Sequence, residues 1–90
     1  MEYEWDSAKA AANLAKHGVP FEAIERFDWD HVLIYEDNRF RYSERRFNAF
    51  AEIDGRMHAL VFTMRGQAIR IIGLRKANAR EIRRYEKEKA

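Results

Sequence analysis

The residues best able to do chemistry in this chain are cationic and spread along its length. Lys9, Lys16 and His17 lie near the start, followed by Arg46, Arg65, Arg70, Arg75 and Lys76. Arginine and lysine stabilise charge that builds on phosphate oxygens, and histidine moves protons near neutral pH. RNA cleavage needs little more than this. The 2′-OH attacks the adjacent phosphorus, so a protein must align it, take its proton, offset the added charge and protonate the leaving 5′-oxygen. Aromatic side chains such as Trp5 could stack on splayed bases.

Other chemistries lack their residues. His17, His31 and His58 show no HExxH or comparable ligand spacing, and the absence of cysteine removes thiolate metal sites, thiol nucleophiles and disulfides. Ser7 and Ser43 stand outside any G-x-S-x-G context, and four glycines form no phosphate loop. No cofactor or metal is expected. Each cation also has a plainer role. Arg46 and Arg70 fit solvent-facing sheet positions, Arg65 an exposed turn, and His17 the last turn of a helix whose dipole it complements. Trp5, just before a helix, fits a hydrophobic staple.

Ninety residues and 10.8 kDa hold one hydrophobic core, so residues 1–90 are expected to form a single domain. A 47% hydrophobic fraction is enough to fold. The apolar runs are too short for a membrane span and the N-terminus lacks a secretory pattern, so a soluble, cytoplasmic protein is expected. The net charge of +2 hides an asymmetry: residues 65–90 carry 9 basic and 3 acidic side chains, residues 1–64 carry 8 and 12. Such polarity suits a basic surface facing phosphates, or simply a solvated C-terminal helix.

The elements that must position these groups read as follows. Tyr3 to Trp5 is a short strand or extended lead-in, Asp6 an N-cap, Ser7 to His17 a helix, and Gly18 its left-handed stop. On that helix Lys9, Asn13, Lys16 and His17 share one stripe, with Ala8, Ala11, Leu14 and Ala15 opposite as an apolar side. Pro20 opens a second, shorter helix to about Phe27, buried through Ala23, Ile24 and Phe27. His31 to Glu36 reads as a strand and Phe40 to Glu44 as irregular. A meander follows: Arg45 to Ile53, Met57 to Met64 and Ala68 to Lys76, joined by Asp54-Gly55 and Gly66-Gln67. Asn78-Ala79-Arg80-Glu81 resembles a capping box opening a helix to about Glu86, with Ile82 and Tyr85 as its apolar contacts.

If those turns are two-residue loops, Phe47, Phe62 and Ile71 share a row, and Ala49, Leu60 and Gly73 the next, on an apolar face covered by helices. The other face then carries Arg46, Thr63 and Arg70 in one row, and Asn48, Val61 and Ile72 in the next. The residues alone thus describe a small α+β domain with a basic face.

The motif Trp5-Asp6-x-x-Lys9-x-x-x-Asn13-x-x-Lys16-His17-Gly18-Val19 resembles the opening of the BrnT family of bacterial type II toxins. Glu44-Arg45-Arg46-Phe47, Asp54-Gly55-Arg56, Phe62-Thr63-Met64-Arg65-Gly66 and Ile69 through Ala77 follow in that family's order, so the likeness covers nearly the whole chain. It implies a compact, RelE-like ribonuclease: a small antiparallel sheet, a three-stranded meander plus one or two further strands, packed by two N-terminal helices and one C-terminal helix. It also implies a ribbon-helix-helix antitoxin, BrnA, that binds the operon's DNA, in an assembly of two toxins and two antitoxins. Matched by motif, Arg65, Arg75 and Lys76 would grip the scissile phosphate, with His17 or a lysine moving protons and no metal required. Lys9, Lys16, Arg46, Arg70 and Trp5 would bind RNA. Pro20, Gly73 and Asn78 depart from the family pattern, where a polar cap, a serine, and a serine or threonine are usual. The competing readings are an inactive relic and a non-catalytic module that holds RNA or a partner protein with the same face.

Overall fold

A computed structural model describes residues 1–39, 41 and 43–90. Its elements run β1 (Glu2–Glu4), α1 (Ser7–His17), a 3₁₀ helix (Phe21–Arg26), a 3₁₀ turn (Trp29–His31), β2 (Leu33–Glu36), β3 (Phe47–Ile53), β4 (Arg56–Arg65), β5 (Ala68–Lys76) and α2 (Ala79–Lys89). The α+β class and the meander are as expected. The second helical segment is 3₁₀ rather than α, with Pro20 as its N-cap rather than in its first turn. The strand expected from His31 begins only at Leu33, because His31 closes the preceding 3₁₀ turn. Of the stretch expected to be irregular, Phe40 and Tyr42 lie outside the described residues, and Arg41, Ser43 and Glu44 belong to no helix or strand.

The five strands form one sheet in the order β1-β5-β4-β3-β2. It is mixed rather than wholly antiparallel: β1 runs parallel to β5, with Glu4 beside Arg70. No hairpin links these two strands, so no turn forces them to oppose. The other neighbours are antiparallel. At the β3–β4 turn Asp54 and Gly55 both take positive φ, 52° and 80°, matching the twist of the hairpin. Phe47 then faces Phe62, and Ala49 faces Leu60, as the turn predicts.

The β4–β5 register holds from Arg65–Ala68 through Phe62–Ile71 and then shifts by one residue. Beyond the shift Val61 faces Gly73 and Leu60 faces Leu74, so the expected pairings of Leu60 with Gly73 and of Val61 with Ile72 do not form. The extra residue in β5 is a β-bulge. It puts Leu74 into the core beside Leu60, where a glycine would leave a void.

Both faces of the sheet carry a core. On one, Phe21, Ile24, Leu60, Ile71 and Leu74 are fully buried under α1 and the 3₁₀ helix, and Trp29 stands edge-on to Phe27 and Phe62. On the other, α2 lays Ile82 and Tyr85 over Phe50, Met57, Ala59 and Ala77. The capping box of α2 is present, with Asn78 and Glu81 bonding reciprocally to each other's backbone N–H.

α1 docks by a different stripe from the one its alanines suggest. Ala8, Ala11, Leu14 and Ala15 are exposed, and Ala10 and Asn13 turn inward. The Asn13 amide explains this. Its Nδ2 donates to the carbonyls of Leu74 (2.7 Å) and Val19 (3.1 Å), and its Oδ1 accepts from the Leu74 N–H (3.3 Å). Past Arg70, β5 has no strand on its outer side, and this amide satisfies backbone groups that an open edge would leave unpaired.

Candidate nucleic-acid interface

The bulge decides which cations share a face. Side chains alternate along a strand, so Arg70 and Arg75, five apart, would point to opposite sides of an unbroken β5. Instead Arg70 pairs with Thr63 and Arg75 with Ala59, and those two partners lie four apart on β4. Arg70 and Arg75 therefore leave the same face, the one that α2 partly covers. Arg65, two residues beyond Thr63 on β4, belongs to it as well. Between the two arginine rows sits a row of Gly73, Val61, Asn48 and Tyr35. From the Arg65 row to the Arg75 row β4 advances six residues, about 20 Å at ~3.3 Å per residue. Arg46 stands one residue before β3, half-buried, its carbonyl accepting from the Asp37 N–H.

Arg65, Arg70 and Arg75 each have an acidic neighbour, and the pairs differ in strength. Arg65 is 3.5 Å from Glu44 and Arg70 3.6 Å from Glu4, both partly exposed. Pairs of that kind contribute about 0–1 kcal/mol and yield readily to a phosphate. Arg75 is held firmly: both terminal nitrogens donate to the Glu81 carboxylate at 2.8 Å, and one also reaches the Lys76 carbonyl. The hydrogen bond to Glu81 raises the Arg75 pKa and, from the other side, holds the Glu81 carboxyl below the usual carboxylate range. Two bonds of this geometry fix the plane of the guanidinium, and among the described residues nothing accepts from its Nε–H.

Lys76 does not join Arg75. Consecutive residues on a strand point apart, and Lys76 faces His58 on the opposite side of the sheet. His58 is itself buried, its Nδ1 2.7 Å from the Arg56 carbonyl oxygen.

Lys9, Lys16 and His17 form a second group. They are exposed on α1 and border a shallow depression floored by Ile72 and Gly73, the bulge residues. Among the described residues none of the three makes a side-chain ion pair, and neither does Lys76. α1 packs on the face opposite the sheet arginines, so its cations approach them only at the bulge, which lies between Arg70 and Arg75 on β5. A side chain at Gly73 would meet only the Asn13 Oδ1, at 3.8 Å, so the glycine is not demanded by crowding. Trp5 stands apart from both groups, half-buried and edge-on to Phe21 at 6.0 Å, where it staples α1 to the core.

Sequence reasoning passed over the residues beside Arg75. A cavity of about 370 Å³ opens there, lined by Tyr35, Asn48 and Phe50 from the sheet, by Arg75, and by Glu81 and Arg84 of α2. The one available signal was Asn48 itself, a polar residue of low strand propensity between Phe47 and Ala49. Among the described residues no group of three or more His, Asp or Glu side chains gathers into a metal-holding cluster. Among the described residues no helix is long and apolar enough to cross a membrane.

A family model described as the ribonuclease toxin BrnT of type II toxin–antitoxin systems matches residues 5–81. No curated protein matches the chain.

Proposed function

Since the chain belongs to the BrnT family, ribonuclease toxins of type II toxin–antitoxin systems, we propose that it arrests growth by cutting RNA on the arginine-bearing face of its sheet. The family match over residues 5–81 carries the ribonuclease reading. The bulge supports the site, because it gathers Arg65, Arg70 and Arg75 on one face and borders the α1 cations.

In this reading a phosphate lies over the Gly73–Val61 row. Arg70 and Arg75 flank it from rows four β4 residues apart, about 13 Å, within reach of two long side chains. They offset charge on the non-bridging oxygens as the 2′-oxygen bonds to phosphorus and the bond to the 5′-oxygen breaks. One proton leaves the 2′-hydroxyl and one arrives on the 5′-oxygen. His17 supplies the imidazole that takes the one and delivers the other. The products are a 2′,3′-cyclic phosphate and a 5′-hydroxyl. Arg65 and Arg46 hold the strand beside the sheet arginines, Lys9 and Lys16 hold it at the bulge, and Lys76, which leaves the face that α1 covers without bordering the bulge, contributes only long-range attraction. No step requires a metal, so cleavage should persist in chelator.

The partner is an antitoxin of the BrnA type that covers this face with acidic and apolar residues, since unpaired burial of so many cations would be costly. If that antitoxin binds DNA as a dimer, the assembly holds two toxins and two antitoxins.

The test is induced expression with and without the neighbouring antitoxin gene, followed by inspection of growth, RNA integrity and RNA ends. Growth should stall with RNA fragments ending in cyclic phosphate. Arg75→Ala should lower cleavage by about 100- to 1000-fold, the usual loss on removing one preorganised donor. Arg70→Ala should act in the same direction, and Lys76→Ala should cost far less. Full toxicity in folded Arg70→Ala and Arg75→Ala would sink the site. Normal growth with intact RNA would favour a binding module.

A further inference from the structure

We infer that the cavity between β2, β3 and α2 is a nucleobase subsite, in which Asn48 and Tyr35 read the base of a nucleotide next to the cleaved phosphate. The inference rests on the ribonuclease reading and names how that site would select its substrate.

Among the described residues, the Tyr35 hydroxyl and the Asn48 amide at the cavity have no hydrogen-bond partner. The Tyr35 hydroxyl is buried and makes no hydrogen bond, which is rare for a phenol and costly unless a ligand completes it. The Asn48 side-chain amide, in register beside Tyr35 and half-buried, makes none among the described residues. An amide offers a donor and an acceptor side by side, the pattern presented by the edges of bases. Above them the Arg84 guanidinium lies 3.8 Å over the Tyr35 ring. Its outer face is a flat cationic surface of the kind on which unpaired RNA bases stack.

Charge argues for a base rather than a bare phosphate. Glu36, Asp37 and Glu81 line the cavity together with Arg39, Arg75 and Arg84, three of each sign, with Glu36 held by Arg45 from outside it. Asp37 accepts from Arg39, and Glu81 from Arg75, which leaves little net attraction for an anion. The sheet arginines supply that attraction next door, and Arg75 borders both places. A nucleotide with its phosphate over the Gly73–Val61 row would have its base adjacent to Asn48, in the same row of the sheet.

The experiment titrates the ¹⁵N-labelled chain with each of the four nucleoside 5′-monophosphates and, separately, with ribose 5-phosphate. Nucleotides should shift the Asn48 side-chain amide and the backbone signals of Tyr35 and Phe50, and ribose 5-phosphate should leave them in place. Tyr35→Phe removes only an unpartnered hydroxyl, so its melting temperature should equal or exceed the parent's while its nucleotide affinity falls. Asn48→Ala should weaken nucleotide binding at least tenfold, leave ribose 5-phosphate binding unchanged, and flatten the base preference of RNA cleavage. Equal shifts from ribose 5-phosphate, or none at Asn48 from millimolar nucleotide, would overturn the subsite. RNA cleavage whose preference is indifferent to Asn48→Ala would remove the subsite and keep the ribonuclease. Base-dependent binding without cleavage of any RNA would do the reverse.

Discussion

Glu81 joins two functions in one carboxylate. It closes the capping box of α2 through the Asn78 N–H and fixes the guanidinium of Arg75, so the helix start and the orientation of that arginine depend on the same group. Its pKa is lowered chiefly by the hydrogen bond from Arg75. A carboxyl depressed in the folded state stabilises the fold fully above its unfolded value, near 4.3 for glutamate, and ceases to do so as pH falls through the lowered value. Glu81→Gln should therefore lower the melting temperature at neutral pH and lose that difference on acidification below about pH 4. Thermal melts of both proteins between pH 7 and pH 2 check this, and a constant difference at every pH would contradict it. Because the variant also frees Arg75 to change rotamer, its RNA cleavage should fall while single-stranded RNA binding is largely kept.

Between elements, the outer edge of β5 does the most. It receives β1 only as far as Arg70 and then bulges. The Asn13 amide takes over the role of a neighbouring strand at Leu74. Replacing Asn13 by Ala leaves the Leu74 N–H and two carbonyls without this partner and should cost about 1–3 kcal/mol, read by urea denaturation. The same edge sets the border between α1 and the sheet arginines, so loosening it should also reduce RNA binding. The bulge keeps Leu74 in the core while turning Arg75 to the face of Arg70, and a strictly alternating strand could not do both.

Taken whole, the molecule separates its charge along the chain and then folds the basic part back over an acidic one. Arg65 and Arg70 meet Glu44 and Glu4 of the acidic part in loose, partly exposed pairs, while Arg75 is held by Glu81 within the basic part itself. Binding to single-stranded RNA should accordingly be steep in salt. The logarithm of affinity falls by about 0.7 per neutralised phosphate for each unit of log salt, so Arg70→Gln should reduce the slope by roughly that amount. Filter binding at several salt concentrations measures it, and an unchanged slope would remove Arg70 from the phosphate path.

Much of this molecule was legible in local chemistry. Asp6, Gly18, Asp54-Gly55, Gly66 and the Asn78–Glu81 box mark their turns and caps through interactions within a few residues, which need no tertiary context. The order of the elements, the meander and the pairing of Phe47 with Phe62 and Ile71 follow from those signals and a period of two. The buried side of α1, the bulge in β5 and the grouping of the arginines did not follow. Alanines at helical spacing suggested one docking face, and a single asparagine seeking an unpaired strand edge selected another. Periodicity counted through Ile72 set Gly73 rather than Leu74 beside Leu60, because a bulge arises where long-range packing needs Leu74 inward, and nothing adjacent in the chain encodes that need. Residue types fixed which chemistry was available; distant contacts decided which of those residues share a surface.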